Sequence, residues 1–439
     1  MKRKYLFLSL VLGLGLTSCE KFDNIVPAQY NKILSMKANG EQALKVYATG
    51  EVNEYDITVM KGGYENSATA TAKVDVMTEI EFAQWSQETG KSFVRIPESC
   101  FSLSDNDLQF ASGDMYKVAK LSVDPNKLAA FIEETNTAYT GSGRPTPTYT
   151  IPLITTSQTD SVLATGNKLI YTLSSVTKPV VGYADVTNHE MTAEVAKEGG
   201  EITVPLRLQI DNIWDFAANL EVDAANTTFD AADYELADNG KVQFTVGNNG
   251  ELKVKFKELK QAVGTLALKI KNLEGKGFGF DNQVLRVNVR VPKYPLTVGM
   301  LSSNAVEPSE GSLANLLDGS VDSYFHSEYT LGLTERHYLQ TTFTEPVSAF
   351  GFTYTNRAPN GNAALYKFDI QVSTDGTNFT TLRTYDAANG DVLPMEGKGV
   401  FNSTNLKPAQ PVKAVRLVCH RNKLGDRFFV LSEFAFFAI

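Results

Sequence analysis

Short runs of β-branched and aromatic residues, separated by glycine, asparagine and proline, recur along almost the whole chain of 439 residues. The segment Glu201–Ile210 shows the pattern most clearly, because every second residue in it is apolar. Alternation with a period of two buries one face of a strand and leaves the other face in water. The pattern predicts an all-β protein. Since the chain is too long for one core, we expect three consecutive β-sandwich domains.

The first 18 residues have the features of an export signal. Lys2, Arg3 and Lys4 precede the apolar run Tyr5–Leu16, which is too short to span a bilayer, and small residues precede Cys19. This pattern resembles the lipobox of bacterial lipoproteins, which implies cleavage before the cysteine and its lipidation. We therefore predict a lipoprotein signal peptide over residues 1–18. An ordinary cleaved signal peptide followed by an incidental cysteine is the alternative.

Lipidation of Cys19 would place the protein at the outer membrane, attached by its lipid alone. Two or three acyl chains anchor a protein stably, because each buried methylene contributes about 0.8 kcal/mol. The following residues Glu20–Asp23 resemble a loose version of the acidic surface-export signal of Bacteroidetes lipoproteins. We predict display on the cell surface, and retention in the inner leaflet stays open.

The net charge and the cysteine content of the chain disfavour several classes of binding partner and site. The net charge of the whole chain is -9, and loss of the three basic residues of the signal peptide makes the mature chain more acidic still. Such a surface disfavours nucleic acid and anionic headgroups, which are bound by clustered Lys and Arg. Neutral ligands fit better. Cys100 and Cys419 lie far apart in the sequence, so the sequence predicts neither a disulfide framework nor a cysteine metal site.

The first predicted domain, residues 19–177, carries a short helix among its strands. Thr78 and Glu81 have the spacing of a capping box, and Gly90 is placed to end the helix. Helical spacing places Ile80 and Trp85 on a face that we expect to cover the sheet. Trp85 is either part of this core or a platform on which a sugar stacks.

A second helix is predicted from Asp124 and Pro125 to about Thr135, because Asp is a good N-cap and Pro suits the first helical position. The surrounding segments EFAQWSQETGKSF, RIPESCFSL, VAKLSVDPNKL and YTIPL resemble DUF1735, an N-terminal domain of Bacteroidetes surface lipoproteins, over roughly residues 30–175. The resemblance implies a position beside outer-membrane glycan-uptake systems.

The second predicted domain, residues 178–295, reads as an immunoglobulin-like β-sandwich that acts as a spacer. Its strands follow one another at the intervals typical of that fold. Trp214 lies in a predicted loop, DNIWDF, where it either plugs the core or binds sugar. The stretch Lys293–Pro295 is the predicted linker, since proline there ends the last strand.

The third predicted domain, residues 296–439, carries the motifs most informative about function. The segment ANLLDGSVDSYFHS at 314–327 and the later segments HYLQ, YTNR, YKFDIQVSTDGTNF, VRLV and SEF resemble F5/8 type C domains in order and spacing. These domains are also called discoidin domains or family 32 carbohydrate-binding modules. The resemblance implies a jelly roll that binds carbohydrate. The family usually has Trp where Phe325 stands, and Asp-Leu-Gly where Thr341–Phe343 stand.

The Asp318–Gly319 turn suits a hard cation, because calcium takes six to eight oxygen ligands and a tight turn can aim several at one point. By resemblance the ion is structural and pins the two chain ends of the jelly roll together. The implied ligands are the side chains of Asp318 and Glu433, a hydroxyl or carbonyl oxygen of Ser323, and the carbonyl oxygens of Asn315 and Ser320, with Asp322 assisting. A hairpin turn without an ion is the alternative, because Asp-Gly is also a common turn signal.

Sugar recognition needs an aromatic face for the C–H side of the ring and polar groups for the hydroxyls. By resemblance, the loop after the first long central strand and the loop before the last strand line the site. The candidate residues on predicted loops are Tyr329, Arg336, His337, Arg357, Asn360, Asn362, His420, Arg421 and Asn422. A lone histidine such as His326 or His337 is as readily explained by a structural role.

Motifs of the common hydrolases are missing from the sequence, which has no G-x-S-x-G elbow, P-loop or H-E-x-x-H. We therefore predict a non-catalytic surface glycan-binding lipoprotein, which hands oligosaccharide to a partner glycosidase or outer-membrane transporter of a polysaccharide-utilisation system. The alternative is a structural or adhesion lipoprotein that binds protein or a host surface. A sugar site would bring Arg357, Asn360 and His420–Asn422 to one concave spot beside an aromatic residue, whereas an adhesin would expose a broad apolar patch.

Overall fold

The computed structural model describes residues 31–439 except 66, 144–146, 246 and 360. The predicted signal peptide, Cys19 and Glu20–Asp23 lie outside the described residues, as does Asn360. The chain divides into two compact units, residues 1–178 and 179–439. Within the described part, no helix combines the length and the apolar character that a membrane crossing requires. Nearly all regular structure is strand, so the predicted all-β class is confirmed.

The first unit is a sandwich of two sheets with two helices. Its described strands pair in the order β1-β3-β8-β6 in one sheet and β2-β10-β9-β4-β7 in the other, with β5 beside β9. Buried side chains from both sheets, among them Val59, Leu121 and Ile151, form one core. The strands are Ile33–Met36 (β1), Gly40–Ala43 (β2), Asn53–Gly62 (β3), Ala70–Val76 (β4), Phe93–Arg95 (β5), Phe101–Ser104 (β6), Asp107–Phe110 (β7), Tyr116–Val123 (β8), Thr148–Thr156 (β9) and Lys168–Leu173 (β10).

The first helix, Glu79–Thr89 (α1), has both predicted ends. The Thr78 hydroxyl accepts from the Glu81 amide, the Glu81 carboxylate accepts from the Thr78 amide, and Gly90 closes the helix in the left-handed conformation. The predicted inward face is wrong at Ile80, whose side chain is 82% exposed. A capping box fixes where a helix starts but not which face packs.

The second helix, Pro125–Gly141 (α2), begins as predicted and runs six residues past the predicted end at Thr135. Asp124 caps its first amides. Tyr149 of the neighbouring β9 donates its hydroxyl hydrogen to Asn136 Oδ1 at 2.8 Å. This contact comes from a strand that follows the helix in the chain, so local helix signals did not include it.

The second unit begins with a sandwich of two five-stranded sheets, ordered β15-β17-β13-β11-β19 and β12-β20-β18-β14-β16. The predicted alternation of Glu201–Ile210 forms β13, in which Ile202, Val204 and Leu206 are buried. The strands are Val180–Tyr183 (β11), Glu190–Glu194 (β12), Gly200–Leu208 (β13), Phe216–Val222 (β14), Tyr234–Leu236 (β15), Lys241–Phe244 (β16), Asn249–Phe256 (β17), Val263–Glu274 (β18), Gly279–Phe280 (β19) and Leu285–Arg290 (β20).

The same unit ends with a second sandwich, whose sheets are ordered β21-β23-β28-β25-β26 and β22-β29-β24-β27. Phe325 and Phe343, which replace the residues usual in the resembled family, are both buried in its aromatic core. The strands are Leu301–Ser303 (β21), Phe325–His326 (β22), Tyr338–Val347 (β23), Phe350–Asn356 (β24), Leu365–Ser373 (β25), Thr380–Asp386 (β26), Val400–Asn402 (β27), Val412–Asn422 (β28) and Val430–Ala438 (β29).

The two sandwiches of the second unit are joined by direct contacts. The predicted linker residue Tyr294 donates its amide hydrogen to Phe436 O at 2.7 Å, and Lys293 forms an isolated bridge with Phe437 on β29. Phe437 is buried among the core residues of the first of these sandwiches. The linker thus lies along the last strand of the domain that it introduces.

Candidate functional site

The register of one sheet brings three separate chain segments to the same level. Phe325 on β22 and Asn356 on β24 both lie opposite Leu431 on the intervening β29. The residues around β22, the residue that follows β24 and the residues that precede β29 therefore meet at one end of the sandwich. Loops at one end of a rigid sandwich are where binding residues usually collect.

Glu310 is the hub of this loop cluster. Its carboxylate accepts hydrogen bonds from the hydroxyls of Tyr324 and Tyr329, the second at 3.0 Å, and lies 3.3 Å from Arg357 Nη1. The guanidinium carbon of Arg357 lies 4.0 Å from the centroid of the Tyr324 ring. Two of the predicted sugar ligands, Tyr329 and Arg357, are thus brought together through one carboxylate.

Glycine is required beside this hub. Gly311 has φ +77°, and a Cβ at that position would lie 2.6 Å from Tyr324 O. Real Cβ atoms do not approach a carbonyl oxygen so closely, and the left-handed conformation costs other residues energy. The glycine therefore lets the Glu310 loop lie directly against β22.

Three rings form an apolar surface next to the hub. The centroids of His326 and Tyr329 are 4.6 Å apart, those of His326 and Phe428 are 5.6 Å apart, and those of Tyr329 and Phe428 are 5.9 Å apart. Tyr329 is 46% exposed and Phe428 is partly exposed, whereas His326 is buried beneath them. His326 Nδ1 donates to Ser327 O at 2.6 Å, which fixes the ring.

The electrostatics of the hub favour an ionised carboxylate. The Tyr324 hydroxyl, followed by the Tyr329 hydroxyl and the charges of His326 and Arg357, holds the pKa of Glu310 below its ordinary value. The same contact raises the pKa of Tyr324 and of Tyr329, so both stay protonated as donors. At neutral pH the site therefore offers fixed hydroxyl, guanidinium and carboxylate groups beside exposed ring surface.

Two buried carboxylates shape the adjoining loop. Glu307 accepts from the Tyr329 amide at 3.1 Å and from the Thr330 hydroxyl, and Glu328 accepts from the amides of Leu331 and Gly332. Carboxylates that accept backbone N–H groups rigidify a loop, because these charge-assisted bonds are strong. The position of Tyr329 is therefore fixed by the protein itself.

Other predicted sugar ligands lie elsewhere. His337 is buried and its Nδ1 lies 3.1 Å from Ser327 Oγ, while burial lowers its pKa. Asn422 is also buried; its Nδ2 donates to Phe428 O at 3.0 Å and its Oδ1 accepts from two amides. The physical reason is that both side chains are buried and directed toward other groups of the protein, so neither can reach a ligand in solvent.

The remaining candidates belong to the other sheet or to open surface. His420 Nε2 lies 2.9 Å from Asp369 Oδ2 and 3.2 Å from Arg336 Nη1, which places these residues on the face of the β28 sheet. Arg421 stacks over Tyr366 at 4.3 Å. Asn362 is exposed. The structure thus separates the His420 group from the Glu310 hub, although the sequence treats them as one site.

The predicted metal loop holds four of its six residues together. Asp318 Oδ1 accepts from the Ser320 amide at 2.8 Å, and Oδ2 accepts from the Ser323 hydroxyl at 2.6 Å. Glu433 interacts with Asp318; burial, followed by the Asp318 charge, raises its pKa. Glu433 Oε1 is buried without a hydrogen-bond partner among the described residues.

The side chains of two residues of the predicted metal site contact other groups, which leaves the predicted carbonyl ligand of Asn315 untested. Asn315 Nδ2 donates to Tyr324 O at 2.9 Å, and Asp322 lies 3.5 Å from Lys398 Nζ at the surface. Within the described residues, no group of three or more His, Cys, Asp or Glu side chains has the geometry of a metal site. Any ion at this loop would therefore take much of its coordination from hydroxyl and carbonyl oxygens.

Both tryptophans pack against aromatic neighbours. The Trp85 ring is stacked with Phe82 at 5.9 Å and with Phe93 at 5.4 Å, and Trp214 contacts Phe278 edge-on at 5.1 Å. Each is partly exposed. These contacts favour the interpretation of both residues as packing residues.

Sequence reasoning missed Glu310, Tyr324 and Phe428 at the candidate site and ranked His326 low. Tyr324 and His326 stand inside the motif at 314–327, so their position was visible, but their orientation was not. Glu310 and Phe428 are separated by more than a hundred residues, and only the sheet register brings their loops together.

Comparisons with known protein families match two parts of the chain. Residues 301–433 match the family model of the F5/8 type C domain. This part of the chain is an F5/8 type C domain. Residues 24–162 match a second family model, described as a "-like, N-terminal domain". No curated protein sequence matches the chain.

Several solved structures are similar to parts of the chain. The module CpGH89CBM32-5 from Clostridium perfringens, in complex with GalNAc-β-1,3-galactose, is 19% identical; the match covers 32% of this chain and 97% of that chain, with a TM-score of 0.27. The family 32 module of NanJ from Clostridium perfringens, in complex with galactose, is 15% identical over 31% and 91% of the two chains, with a TM-score of 0.24. A two-domain protein of unknown function from Bacteroides fragilis NCTC 9343 is 14% identical over 59% and 94%, with a TM-score of 0.25.

Proposed function

We propose that this protein binds carbohydrate without catalysis, through the loop cluster around Glu310. A short saccharide would place the C–H face of one ring on Tyr329 and Phe428, and its hydroxyls would bond to Arg357 and Glu310. Aromatic rings supply the apolar contact, and charged groups supply directional hydrogen bonds. The match of residues 301–433 to the F5/8 type C family supports this assignment.

One observation carries the proposal: a single carboxylate binds Tyr324, Tyr329 and Arg357 beside a partly exposed ring surface. The polar groups are held by partners within the protein, so little conformational freedom is lost when a ligand binds. Such preorganisation raises affinity by lowering the entropic cost of binding. A general apolar adhesion surface would not need a carboxylate with three fixed partners.

The test is titration of the protein by isothermal calorimetry with galactose and with GalNAc-β-1,3-galactose, the sugars present in two similar structures. We expect weak binding of at least one probe, and loss of that binding in Tyr329→Ala. Tyr116→Ala, which removes an exposed tyrosine of the first unit, is the matched control. If a broad glycan array shows no binding by the unmodified protein, the proposal is wrong.

We further propose that the chain is a surface lipoprotein of a polysaccharide-utilisation system. Lipidation at Cys19 would attach it to the outer membrane, and the DUF1735-like first domain and the immunoglobulin-like second domain would serve as spacers. The captured oligosaccharide would pass to a glycosidase or transporter partner. Cys19→Ala should release the protein from the membrane fraction into the soluble fraction, and unchanged membrane attachment would contradict lipidation.

We also propose a structural calcium ion at the Asp318 loop. The raised pKa of Glu433 and its buried, unpartnered Oε1 opposite Asp318 fit a missing positive charge. Asp318 and Glu433 would supply carboxylate oxygens, while Ser320 and Ser323 would supply carbonyl or hydroxyl oxygens. The ion would connect the loop before β22 to the final strand β29, close to the segment that carries the sugar site.

A second candidate function, adhesion to a protein surface, is favoured by three exposed leucines. Leu331, Leu333 and Leu424 are 66%, 43% and 61% exposed. They lie on two loops joined by a hydrogen bond from Arg427 to Thr334 O. If the triple change of these leucines to serine abolished attachment to host cells while leaving glycan binding intact, adhesion would be the better assignment.

A further inference from the structure

A cavity lies between the two sandwiches of residues 179–439, apart from the Glu310 site. It has a volume of about 580 Å³ and is lined by residues of β12, β18 and β20 and by residues 402–405. Asn402 pairs with Thr353 on β24, and Arg357 follows four residues later. At about 3.3 Å per residue, the two sites are separated by roughly 13 Å along the strand.

The cavity wall contains a buried polar group that the protein leaves unpaired. Arg290 Nε is buried without a hydrogen-bond partner in the described part of the chain. Thr192 and Asn402 also line the cavity, from opposite sandwiches, and both are exposed to solvent. Buried polar groups are normally satisfied, so an unpaired donor at a cavity indicates water or a ligand as its partner.

The charges at the cavity disfavour an anionic ligand. The Arg290 guanidinium is paired with Glu194 at 3.0 Å and stacked over Phe437 at 4.7 Å. Glu190 adds a negative charge to the lining. Because the positive charge is already compensated, a phosphate, sulfate or carboxylate would meet no net attraction. A neutral ligand rich in hydroxyl groups suits the hydroxyl, amide and guanidinium groups of the wall.

Contacts between the sandwiches keep the cavity in one shape. The Ala262 amide donates to Asn405 Oδ1 at 2.8 Å. Gly351 packs against Val263 so closely that a Cβ would lie 2.7 Å from the valine methyl carbons. Sites at domain junctions that are already formed, with mixed apolar and polar walls, are typical of small-ligand binding.

We propose that this junction cavity is a second carbohydrate site, which accommodates a segment of a neutral oligosaccharide. The inference rests on the proposed carbohydrate function but not on the Glu310 site. Val263 provides the apolar contact for a sugar ring, while Thr192, Asn402 and Arg290 Nε bond to its hydroxyls. A chain with two sites binds a long glycan with greater avidity than either site alone.

The experiment uses the full chain with the first site disabled by Arg357→Ala. This variant is titrated by isothermal calorimetry with maltohexaose, cellohexaose, xylohexaose and mannohexaose. We expect one hexasaccharide to retain measurable binding, and Thr192→Trp in the same background to weaken it by about tenfold or more because the indole fills the cavity. Thr203→Trp, at an exposed strand position of the other sheet, should leave the affinity within about twofold.

Thermal melting verifies that each variant is folded, and Asn402→Trp fills the cavity from the opposite wall should Thr192→Trp fail to fold. If Arg357→Ala abolishes binding of every hexasaccharide that the unmodified protein binds, the junction site is refuted and the first site stands. The same conclusion follows if both tryptophan variants bind normally. If the unmodified protein binds none of the four hexasaccharides, the junction site is refuted, whereas the Glu310 site is decided separately by the titrations with galactose and GalNAc-β-1,3-galactose and by the glycan array.

Discussion

The guanidinium carbon of Arg357 lies 4.0 Å from the centroid of the Tyr324 ring. Stacking of this kind uses the planar, delocalised charge of arginine and orients its N–H groups within a plane. Glu310 fixes the same guanidinium from the side through an ion pair of 3.3 Å. The relationship turns a flexible side chain into a fixed set of donors next to the exposed ring of Tyr329.

Arg357→Lys should therefore weaken the binding of galactose or GalNAc-β-1,3-galactose by about tenfold, although the charge is retained. A lysine ammonium neither stacks as a plane nor presents paired donors. The melting temperature should change little, because the arginine side chain is partly exposed. Calorimetric titration measures the affinity, and Arg383→Lys, on β26 in the opposite sheet, is the control. Full affinity in Arg357→Lys would show that the stacked geometry is unimportant.

Acid should weaken binding only below the ordinary pKa of a glutamate, 4.5. The folded-state pKa of Glu310 is depressed, so its contribution is present above that value and is lost as the pH falls through the folded-state pKa. Affinity measured from about pH 7 to pH 4 should thus be flat until it falls at the acid end. Glu310→Gln should be weaker at neutral pH and lose this acid dependence, whereas Glu335→Gln on the exposed neighbouring loop should keep it. A fall in affinity that is complete by about pH 5 would exclude Glu310 as the titrating group.

Calcium should raise the melting temperature of the protein relative to the same protein in EDTA. A ligand that binds only the folded state at 100 times its Kd stabilises that state by about 2.7 kcal/mol. Asp318→Asn and Glu433→Gln should both lose the calcium response, and Glu345→Gln, at an exposed position, should retain it.

In EDTA, the variants Asp318→Asn and Glu433→Gln should differ in stability. The pKa of Glu433 is raised, so its contribution to stability is present when it is protonated at low pH and is lost as the pH rises through the folded-state value. Glu433→Gln mimics the protonated form and should be at least as stable as the unmodified protein at neutral pH. Equal calcium responses in all variants would show that no ion binds at this loop.

Asn422→Ala should destabilise the last sandwich and also weaken sugar binding. The change leaves the amides of Leu424 and Asp426 and the Phe428 carbonyl without their partner, at a cost of about 1–3 kcal/mol for each buried unsatisfied group. The Phe428 ring then loses its fixed position at the site. Chemical denaturation and calorimetry measure the two effects. The control is Asn378→Ala, in an exposed turn of the same sandwich, which should leave the affinity unchanged. Unaltered binding in Asn422→Ala would mean that Phe428 makes no contact with the sugar.

Local signals predicted local structure well. The Thr78 capping box, the Gly90 helix end and the Asp124 cap all involve groups within a few residues of one another, so the sequence states them directly. The face of α1 was wrong at Ile80, because a helix whose residues all remain at least partly exposed carries little periodic signal.

The candidate site was only partly predictable, because local signals do not encode contacts between segments that are far apart in the sequence. Tyr329 and Arg357 could be named from a motif and its order, but the carboxylate that joins them comes from Glu310, ahead of the motif. His420 to Asn422 look like one polar cluster in sequence, yet register irregularities where β28 pairs with β25 break the alternation, so that His420 meets Asp369 while Asn422 bonds to the Phe428 loop. Which face each residue takes depends on strand register, which a short polar run does not encode.

The hydrogen bond from Tyr294 to Phe436 has a mechanical consequence. The segment that connects the last two sandwiches is not a free linker. Its backbone is hydrogen-bonded to β29, and the Tyr294 hydroxyl lies 2.8 Å from Thr344 Oγ1. A force applied to a bound polymer would act on these hydrogen bonds instead of extending a flexible linker. The terminal module should therefore move with its neighbour as one rigid unit.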